Sequence, residues 1–160
     1  MTAPPKDGGS GEMAPGIPLD DFPPYLLNRI VSRINTNLGE ALKSTGITVP
    51  IYRVLAVLIA GDGRSVNELA VYTVTEQSTL SKILVRMEAQ GLISRRPGAN
   101  DGRVVQIFIT DSGRTAYDQV LPIALAHYEQ AMTGLSTNER DSLVEMLHRM
   151  LDNVRISPFP

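Results

Sequence analysis

Residues 65–103 read SVNELAVYTVTEQSTLSKILVRMEAQGLISRRPGANDGR, and this stretch decides the fold. Ser65 followed three residues later by Glu68 is a capping box, which marks the start of a short helix ending near Tyr72. Residues 73–75 form a turn. The next helix runs to Gly91 and carries Leu80, Leu84 and other apolar residues on one face and polar residues on the others. The stretch therefore predicts a helix-turn-helix.

Two strands follow this helix pair. Residues 92–96 read as a short strand, and residues 104–110 (VVQIFIT) as a second strand with alternating β-branched residues. The loop between them, residues 97–102, contains Pro, Gly and an Asp-Gly dipeptide, which is a strong hairpin signal. We therefore expect a two-stranded wing carrying Arg95, Arg96 and Arg103.

Helices are also predicted on both sides of this unit. On the N-terminal side, Asp20 or Asp21 followed by Pro23-Pro24 starts a helix that ends near Lys43 and is capped by Gly46, and an apolar helix follows from Thr48. On the C-terminal side, a long helix begins at Thr110 or Asp111 and should be kinked by Pro122, which removes a backbone donor. A second capping box, residues 136–139, opens the last helix.

The predicted fold class is mainly α (α+β). Residues 48–110 form a winged helix-turn-helix core, and residues 21–47 and 111–157 form N- and C-terminal helices of a dimerisation region. Residues 1–20 are rich in Pro and Gly and cannot bury enough apolar area to offset the cost of ordering, so we expect a flexible N-terminal arm.

The composition excludes several classes of function. Cysteine is absent, which rules out disulfides and thiolate zinc sites, and the only histidines, His127 and His148, are far apart. The sequence carries no metal-site spacing, phosphate-binding loop or nucleophile–base pair, so we predict neither an enzyme nor a cofactor. No apolar run is long enough to span a membrane and no secretory signal is visible, so we expect a cytosolic protein.

Charge is unevenly distributed along the chain. The net charge is −2, but residues 75–103 contain five basic and three acidic side chains, so this segment carries +2 and the remainder −4. A locally basic element on an acidic body fits a protein that touches a polyanion at one place.

The second helix of the pair could enter the major groove of B-DNA, where its first residues would face base edges. Gln can bond adenine bidentately and Lys reaches guanine or phosphate, whereas Glu76 could favour cytosine or complement the helix N-terminus. Arg103 suits a narrow minor groove, with Asp101 orienting it, and Arg86 suits a phosphate or an internal carboxylate. For Arg95 and Arg96 a solvated hairpin surface is an equal alternative. The candidate DNA-binding residues are Glu76, Gln77, Ser78, Thr79, Ser81, Lys82, Arg86, Arg95, Arg96, Asp101 and Arg103.

These motifs resemble the DNA-binding core of MarR-type transcriptional regulators. The resemblance lies in the E-L-A opening of the first helix, Q-S-T-L-S at the start of the second, the R-M-E-x-x-G-L-I-x-R-R exit, the D-x-R of the wing and T-D-S-G-R beyond it. It extends from about Leu19 to Val154. One departure is the turn between the helices, where Thr73-Val74 stands in place of the common glycine.

The resemblance implies a homodimer that binds double-stranded DNA at a pseudopalindromic operator as a repressor. It also implies release by a small ligand, commonly an aromatic carboxylate or a related thioester. Dimerisation also follows from the small surface that one helix and one wing can bury on DNA. The absence of cysteine excludes the peroxide-sensing branch of the family.

Three matters stay open at this point. The ligand-binding residues are unassigned, although an aromatic acid could meet any of six side chains: Tyr25, Arg29, Arg33, Arg53, Tyr117 and His127. The choice between repressor and activator rests on family tendency. The alternative function is a winged-helix module that binds protein or serves as a dimeric scaffold, which the acidic overall charge and the Pro/Gly-rich arm would fit.

Overall fold

The computed structural model describes residues 12–98 and 104–154. Within these ranges the chain is mostly helical with a small antiparallel sheet, which confirms the predicted fold class. The helices are α1 (Pro23–Ala41), α2 (Val49–Ala60), α3 (Val66–Thr73), α4 (Gln77–Ala89), α5 (Asp111–Ala131) and α6 (Thr137–Val154). The strands are β1 (Glu12–Ala14), β2 (Ile17–Pro18), β3 (Arg64–Ser65), β4 (Ile93–Pro97) and β5 (Val105–Ile109).

The wing is a three-stranded sheet with the order β3-β5-β4, all antiparallel. The register places Ile93 opposite Ile109 and Pro97 opposite Val105. The sequence predicted two strands and missed β3. Two residues are too short to show an alternating pattern, and β3 exists because Arg64 and Ser65 pair with Ile107 and Gln106 of β5.

One core holds the helix-turn-helix to the wing. Residues from α2, α3, α4, β4, β5 and α5 meet in it, and Leu55, Leu69, Leu84 and Ile107 are fully buried there. The apolar face predicted for α4 is the face that enters this core. The packing leaves the polar face of α4 directed to solvent.

Side-chain caps confirm the predicted starts of α3, α5 and α6, whereas α1 begins at Pro23 with Phe22, not an aspartate, at its N-cap. The Ser65 amide and hydroxyl both donate to Glu68 Oε2, at 2.8 and 2.7 Å, and the Glu68 amide donates to Ser65 Oγ at 3.3 Å. The hydrogen bond from the Ser65 hydroxyl, followed by that from its amide, lowers the pKa of the Glu68 carboxyl. Ser136 and Glu139 repeat the arrangement at α6. Thr110, one of the two residues predicted for α5, accepts from the Gly113 amide at 3.1 Å.

The end of α4 and the start of α5 approach each other closely. The Thr110 hydroxyl donates to the Gly91 carbonyl at 2.6 Å, and a Cβ at Gly113 would collide with the Leu92 carbonyl oxygen. Gly91 itself has a φ of 69° and ends α4, as predicted. Only glycine fits at position 113, so the backbone contact fixes where α5 leaves the wing.

Helices α1 and α5 pack through a smaller cluster of Leu38, Leu42 and Val120. Helix α1 ends at Ala41 rather than at the predicted Lys43, because a 3-10 turn, Lys43–Thr45, intervenes before Gly46 reverses the chain with a φ of 75°. Helix α5 continues through Pro122 as one helix. All residues of α6 are at least partly exposed in the single chain.

Part of the N-terminal arm has regular local structure, which the sequence did not predict. β1 pairs with β2 in a hairpin around Gly16, whose φ is 77°, and a 3-10 turn, Leu19–Asp21, leads into α1. Residues 1–11 of the predicted flexible arm lie outside the described residues. No helix in the described part of the chain is long and apolar enough to cross a membrane.

Candidate nucleic-acid interface

The turn between α3 and α4 closes without glycine. Val74 takes the left-handed conformation, with φ 51° and ψ 50°, and is 89% exposed. Buried Thr73 donates its hydroxyl to the Leu69 carbonyl at 2.7 Å, and the Thr75 amide donates to the Ala70 carbonyl at 3.0 Å. The hydrogen bonds hold the turn in a conformation that a β-branched residue rarely adopts. The departure noted in the sequence therefore leaves the helix-turn-helix intact.

The start of α4 presents a polar surface, which we call the recognition face. It consists of the exposed predicted residues Glu76, Gln77, Ser78, Thr79, Ser81 and Lys82. Glu76 is the N-cap residue, and the Ser81 hydroxyl donates to the Gln77 carbonyl at 2.8 Å. Because Leu80 and Leu84 anchor the opposite side of the helix in the core, these six side chains share one outward surface. Arg86 is also exposed, in the last turn of α4.

Asn67 on α3 touches the recognition face, and the sequence analysis missed it. Its Oδ1 accepts a hydrogen bond from Gln77 Nε2 at 2.8 Å. Val71, Val74 and both amide residues line a shallow depression between α3 and the start of α4. The signal in the sequence was the position of Asn67 near the start of α3, but a contact over ten residues depends on the angle between two helices.

The two DNA-binding candidates among the described wing residues, Arg95 and Arg96, are held by neighbours within the chain. Arg95 Nε lies 2.9 Å from Glu88 Oε2, and both side chains are partly exposed. The guanidinium of Arg96 lies 4.6 Å from the centre of the Phe108 ring, a cation–π contact. Arg95 is thus committed to an ion pair with the end of α4, whereas Arg96 is exposed and keeps its hydrogen-bond donors at the surface. Asp101 and Arg103 lie outside the described residues.

Three further contacts, made by Asp62 and Arg64, fix the wing to the helices, and the sequence analysis predicted none of them. Asp62 accepts from the Ile109 amide at 2.9 Å and lies 3.5 Å from Arg114 Nη2. Arg64 stacks its guanidinium 4.3 Å from the centre of the Tyr72 ring. The Asp62 contacts join the turn after α2 to β5 and α5, and the Arg64 contact joins β3 to α3, so the sheet is tied to the helices that pack against it.

A second concave surface lies between α1 and the end of α5. It has a volume of about 860 Å³. Four of the six side chains proposed for an aromatic acid line it: Tyr25, Arg29, Arg33 and His127. Within it, the Arg29 guanidinium lies 5.4 Å from the centre of the Tyr25 ring and 3.8 Å from Asp20 Oδ1.

The other two candidates for an aromatic acid lie elsewhere. Tyr117 stacks on Tyr52 with ring centres 5.8 Å apart, and burial, followed by the neighbouring Tyr117, raises the pKa of the Tyr52 hydroxyl. Arg53 donates to Asn35 Oδ1 at 2.7 Å. No group of His, Cys, Asp and Glu side chains that could hold a metal ion occurs among the described residues.

Known proteins are similar to this chain in sequence and in fold. The MarR family sequence profile matches residues 45–104, from the turn before α2 to the residue before β5. The chain is 32% identical over 135 residues to the HTH-type transcriptional repressor IacR of Pseudomonas putida, covering 84% of this chain and 78% of the relative. A MarR family transcriptional regulator from Silicibacter pomeroyi, known from a crystal structure, is 33% identical with a TM-score of 0.84, covering 92% of this chain and all of that one.

The chain belongs to the MarR family. The predicted resemblance is therefore confirmed, and the helix-turn-helix with its sheet is the winged DNA-binding unit of a MarR family transcriptional regulator. A structure of Bordetella bronchiseptica BpsR, whose DNA binding is regulated by 6-hydroxynicotinic acid, shares the fold with a TM-score of 0.74, covering 83% of this chain and 95% of BpsR. At 23% identity this likeness concerns the fold alone.

Proposed function

We propose that this protein is a homodimeric MarR-family repressor that binds a pseudopalindromic operator and is released by a small aromatic acid or acyl thioester. The observation that carries the proposal is the recognition face of α4, polar, exposed and anchored from behind by fully buried leucines. Glutamine, serine, threonine and lysine there match the donors and acceptors of the major groove.

Dimerisation is supported by apolar side chains that the described part of the chain leaves uncovered. We call them the apolar strip: Leu26, Ile30 and Val31 of α1, Leu125 and Tyr128 of α5, and Leu147, Met150, Leu151 and Val154 of α6. Large exposed apolar patches mark interaction sites on soluble proteins, and here exposed apolar side chains recur on three helices. A second copy of the same strip would cover it and would place two recognition faces on one side of the dimer.

Effector release is supported by the groove between α1 and α5. Its two arginines could pair with a carboxylate and its tyrosine could stack on an aromatic ring. In the proposed mechanism the ligand binds more tightly to a dimer whose recognition faces are spaced wrongly for successive major grooves. Because the two states then differ in ligand affinity, binding shifts the population away from DNA.

Gel shifts on DNA flanking the protein's own coding sequence test the repressor proposal. Arg103→Ala should weaken operator binding severely and leave the dimer intact, whereas Lys43→Ala, which removes a charge outside the recognition face and wing, should change it little. Unchanged affinity in Arg103→Ala would contradict the role of the wing. A dimer that shifts no DNA at low salt would favour the scaffold alternative.

A thermal-shift screen of aromatic acids and acyl thioesters, with and without operator DNA, tests the effector proposal. A ligand should raise the melting temperature of the free dimer and dissociate the complex. Arg33→Ala should weaken that response, and Arg149→Ala on α6 is the matched control. A ligand response that is unaltered in Arg33→Ala would exclude this groove.

A further inference from the structure

Asn67 and Gln77 form a contact between the two helices of the helix-turn-helix at the edge of the recognition face. Both residues are exposed, and Gln77 Nε2 donates to Asn67 Oδ1 across 2.8 Å. Gln77 is the first residue of α4, and the Leu80 amide donates to the Glu76 carbonyl at 2.9 Å as the first hydrogen bond of that helix. The hydrogen bond to Asn67 therefore fixes the one part of Gln77 that would otherwise rotate, its long side chain.

The hydrogen bond leaves Gln77 with the groups that adenine requires. A glutamine amide has two N–H donors and one carbonyl oxygen with two lone pairs. One N–H is used on Asn67, and the second N–H and Oε1 remain. Adenine presents N7 as an acceptor and the N6 amino group as a donor in the major groove, and an amide bonds this pair bidentately.

Ordering the side chain before DNA binds also changes the energetics. A free glutamine loses much rotamer freedom when it is fixed on a base, and this loss opposes binding. Asn67 removes part of that loss because it holds the amide in the folded protein. The same contact leaves the Asn67 amide nitrogen free to face a phosphate, since only its oxygen is used by Gln77.

We propose that Asn67 is a positioning residue that holds Gln77 for one adenine in each operator half-site. The inference rests on the proposed function, and it assigns specificity to a residue of α3 that lies outside the recognition helix. Asn67 itself reads no base: it acts through Gln77.

The chain supplies a matched control. The sequence S-x-N-E occurs twice, as residues 65–68 and 136–139, with a side-chain capping box each time. Asn67 and Asn138 occupy the same position of the two boxes, but Asn138 lies on α6, outside the helix-turn-helix. Replacing each asparagine by alanine separates a local effect on the helix start from an effect on Gln77.

The experiment measures binding of purified dimers to an operator selected from random duplexes, with each base pair then varied. The wild-type protein should prefer adenine over other bases at one position per half-site by roughly 5- to 150-fold. Substituting 7-deazaadenine there, which lacks the N7 acceptor, should weaken binding. Gln77→Ala should remove the preference at that position, and Asn67→Ala should reduce it about 3- to 10-fold at an unchanged melting temperature.

Two further variants identify the positioning role. The double variant should lose no more preference than Gln77→Ala alone, because Asn67 acts only through Gln77. Asn67→Asp keeps an oxygen for Gln77 Nε2, so it should retain the adenine preference while its added negative charge weakens binding to all sequences. Asn138→Ala should leave both affinity and preference unchanged.

Three results would overturn the inference while leaving the proposed function standing. They are an unchanged adenine preference in Asn67→Ala, additive losses in the double variant, and a uniform loss across sequences with a smaller salt dependence, which would make Asn67 a phosphate contact only. A wild-type dimer that binds no selected duplex more tightly than random DNA would overturn the proposed function together with the inference.

Discussion

Helices α4 and α6 are both amphipathic, yet the single chain treats their apolar faces differently. Leu80, Leu84 and Met87 of α4 are fully buried, whereas Leu151 of α6 is 52% exposed and Val154 is 70% exposed. The sequence pattern that predicts an amphipathic helix is the same in both cases. The difference teaches that α4 completes the core of one chain, while the described part of the chain leaves the apolar face of α6 uncovered.

The two capping boxes sharpen the same comparison. Ser65–Glu68 and Ser136–Glu139 make equivalent hydrogen bonds, but the first is partly buried beside Arg64 and the second is exposed. The two boxes therefore make the same hydrogen bonds but differ in how exposed they are. Paired single substitutions, one in each environment, test whether the surroundings or the local sequence decide the effect.

The largest expected effect lies in the core of the DNA-binding unit. Leu84→Ala leaves a cavity among fully buried side chains and should lower the free energy of unfolding by about 2–5 kcal/mol. Val85→Ala, one residue away on the same helix but 59% exposed, should change it by no more than about 0.5 kcal/mol. Urea unfolding measures both, and similar losses in the two variants would refute the distinction between the faces.

The next effect concerns the apolar strip. Leu151→Asp places a charge where the proposed partner packs, so the dimer should dissociate and operator affinity should fall about 100-fold, which is about 2.7 kcal/mol. Ser142→Asp adds the same charge to the polar face of α6 and should leave a dimer. Light scattering coupled to size exclusion reports the mass, and a dimeric Leu151→Asp protein would place the interface elsewhere.

A smaller effect is expected at the capping boxes. Ser65→Ala should destabilise the protein by about 1 kcal/mol, because it removes the cap of α3. Ser136→Ala, in the exposed box, should have less effect. Chemical unfolding at neutral pH measures the free energy of unfolding of both variants. A larger loss of stability in Ser136→Ala than in Ser65→Ala would contradict this prediction.

The Ser65 box should also contribute a pH dependence. Its hydrogen bonds lower the pKa of Glu68 in the folded protein below the ordinary value of 4.5. Between the folded and unfolded pKa values of Glu68 the unfolded state binds more protons. The contribution of this carboxylate to the free energy of unfolding is therefore complete above pH 4.5 and is lost as the pH falls through the folded pKa. The difference between wild type and Ser65→Ala should shrink in acid, and a constant difference down to pH 2 would contradict this assignment.

The smallest effect is expected at the turn. Val74→Gly removes a β-branched residue from the left-handed conformation, which is costly for side chains with a Cβ, but it also increases the freedom of the unfolded chain. We expect a net gain of about 0.5 kcal/mol from these opposing effects. Thermal melting of both variants checks the direction of the change. Val74→Gly should melt above wild type, whereas Val71→Gly, in the interior of α3, should melt below it.

Short-range signals explain what the sequence predicted well. The capping box at Ser65, the helix end at Gly91 and the apolar face of α4 each depend on residues within one or two turns. The pairs that the sequence missed join distant positions. Asp62 meets Arg114 over 52 residues, and Asn67 meets Gln77 only because two helices cross at a particular angle.

The wing illustrates the same limit for a functional residue. Arg95 was a candidate for DNA contact, and its side chain lies against Glu88 at the end of α4. A sequence shows that both charges are present, but it does not show that the hairpin brings them together. The DNA-binding roles of the recognition face, Arg86 and the wing stay predictions.

The spacing between two operator half-sites tests the central claim most directly. A dimer whose two recognition faces enter successive major grooves requires half-sites about 10 base pairs apart. Inserting about 5 base pairs between them turns one half-site to the opposite side of the duplex, and we expect operator affinity to fall to that of random DNA. Unchanged affinity after the insertion, in a protein that is dimeric in solution, would contradict the account.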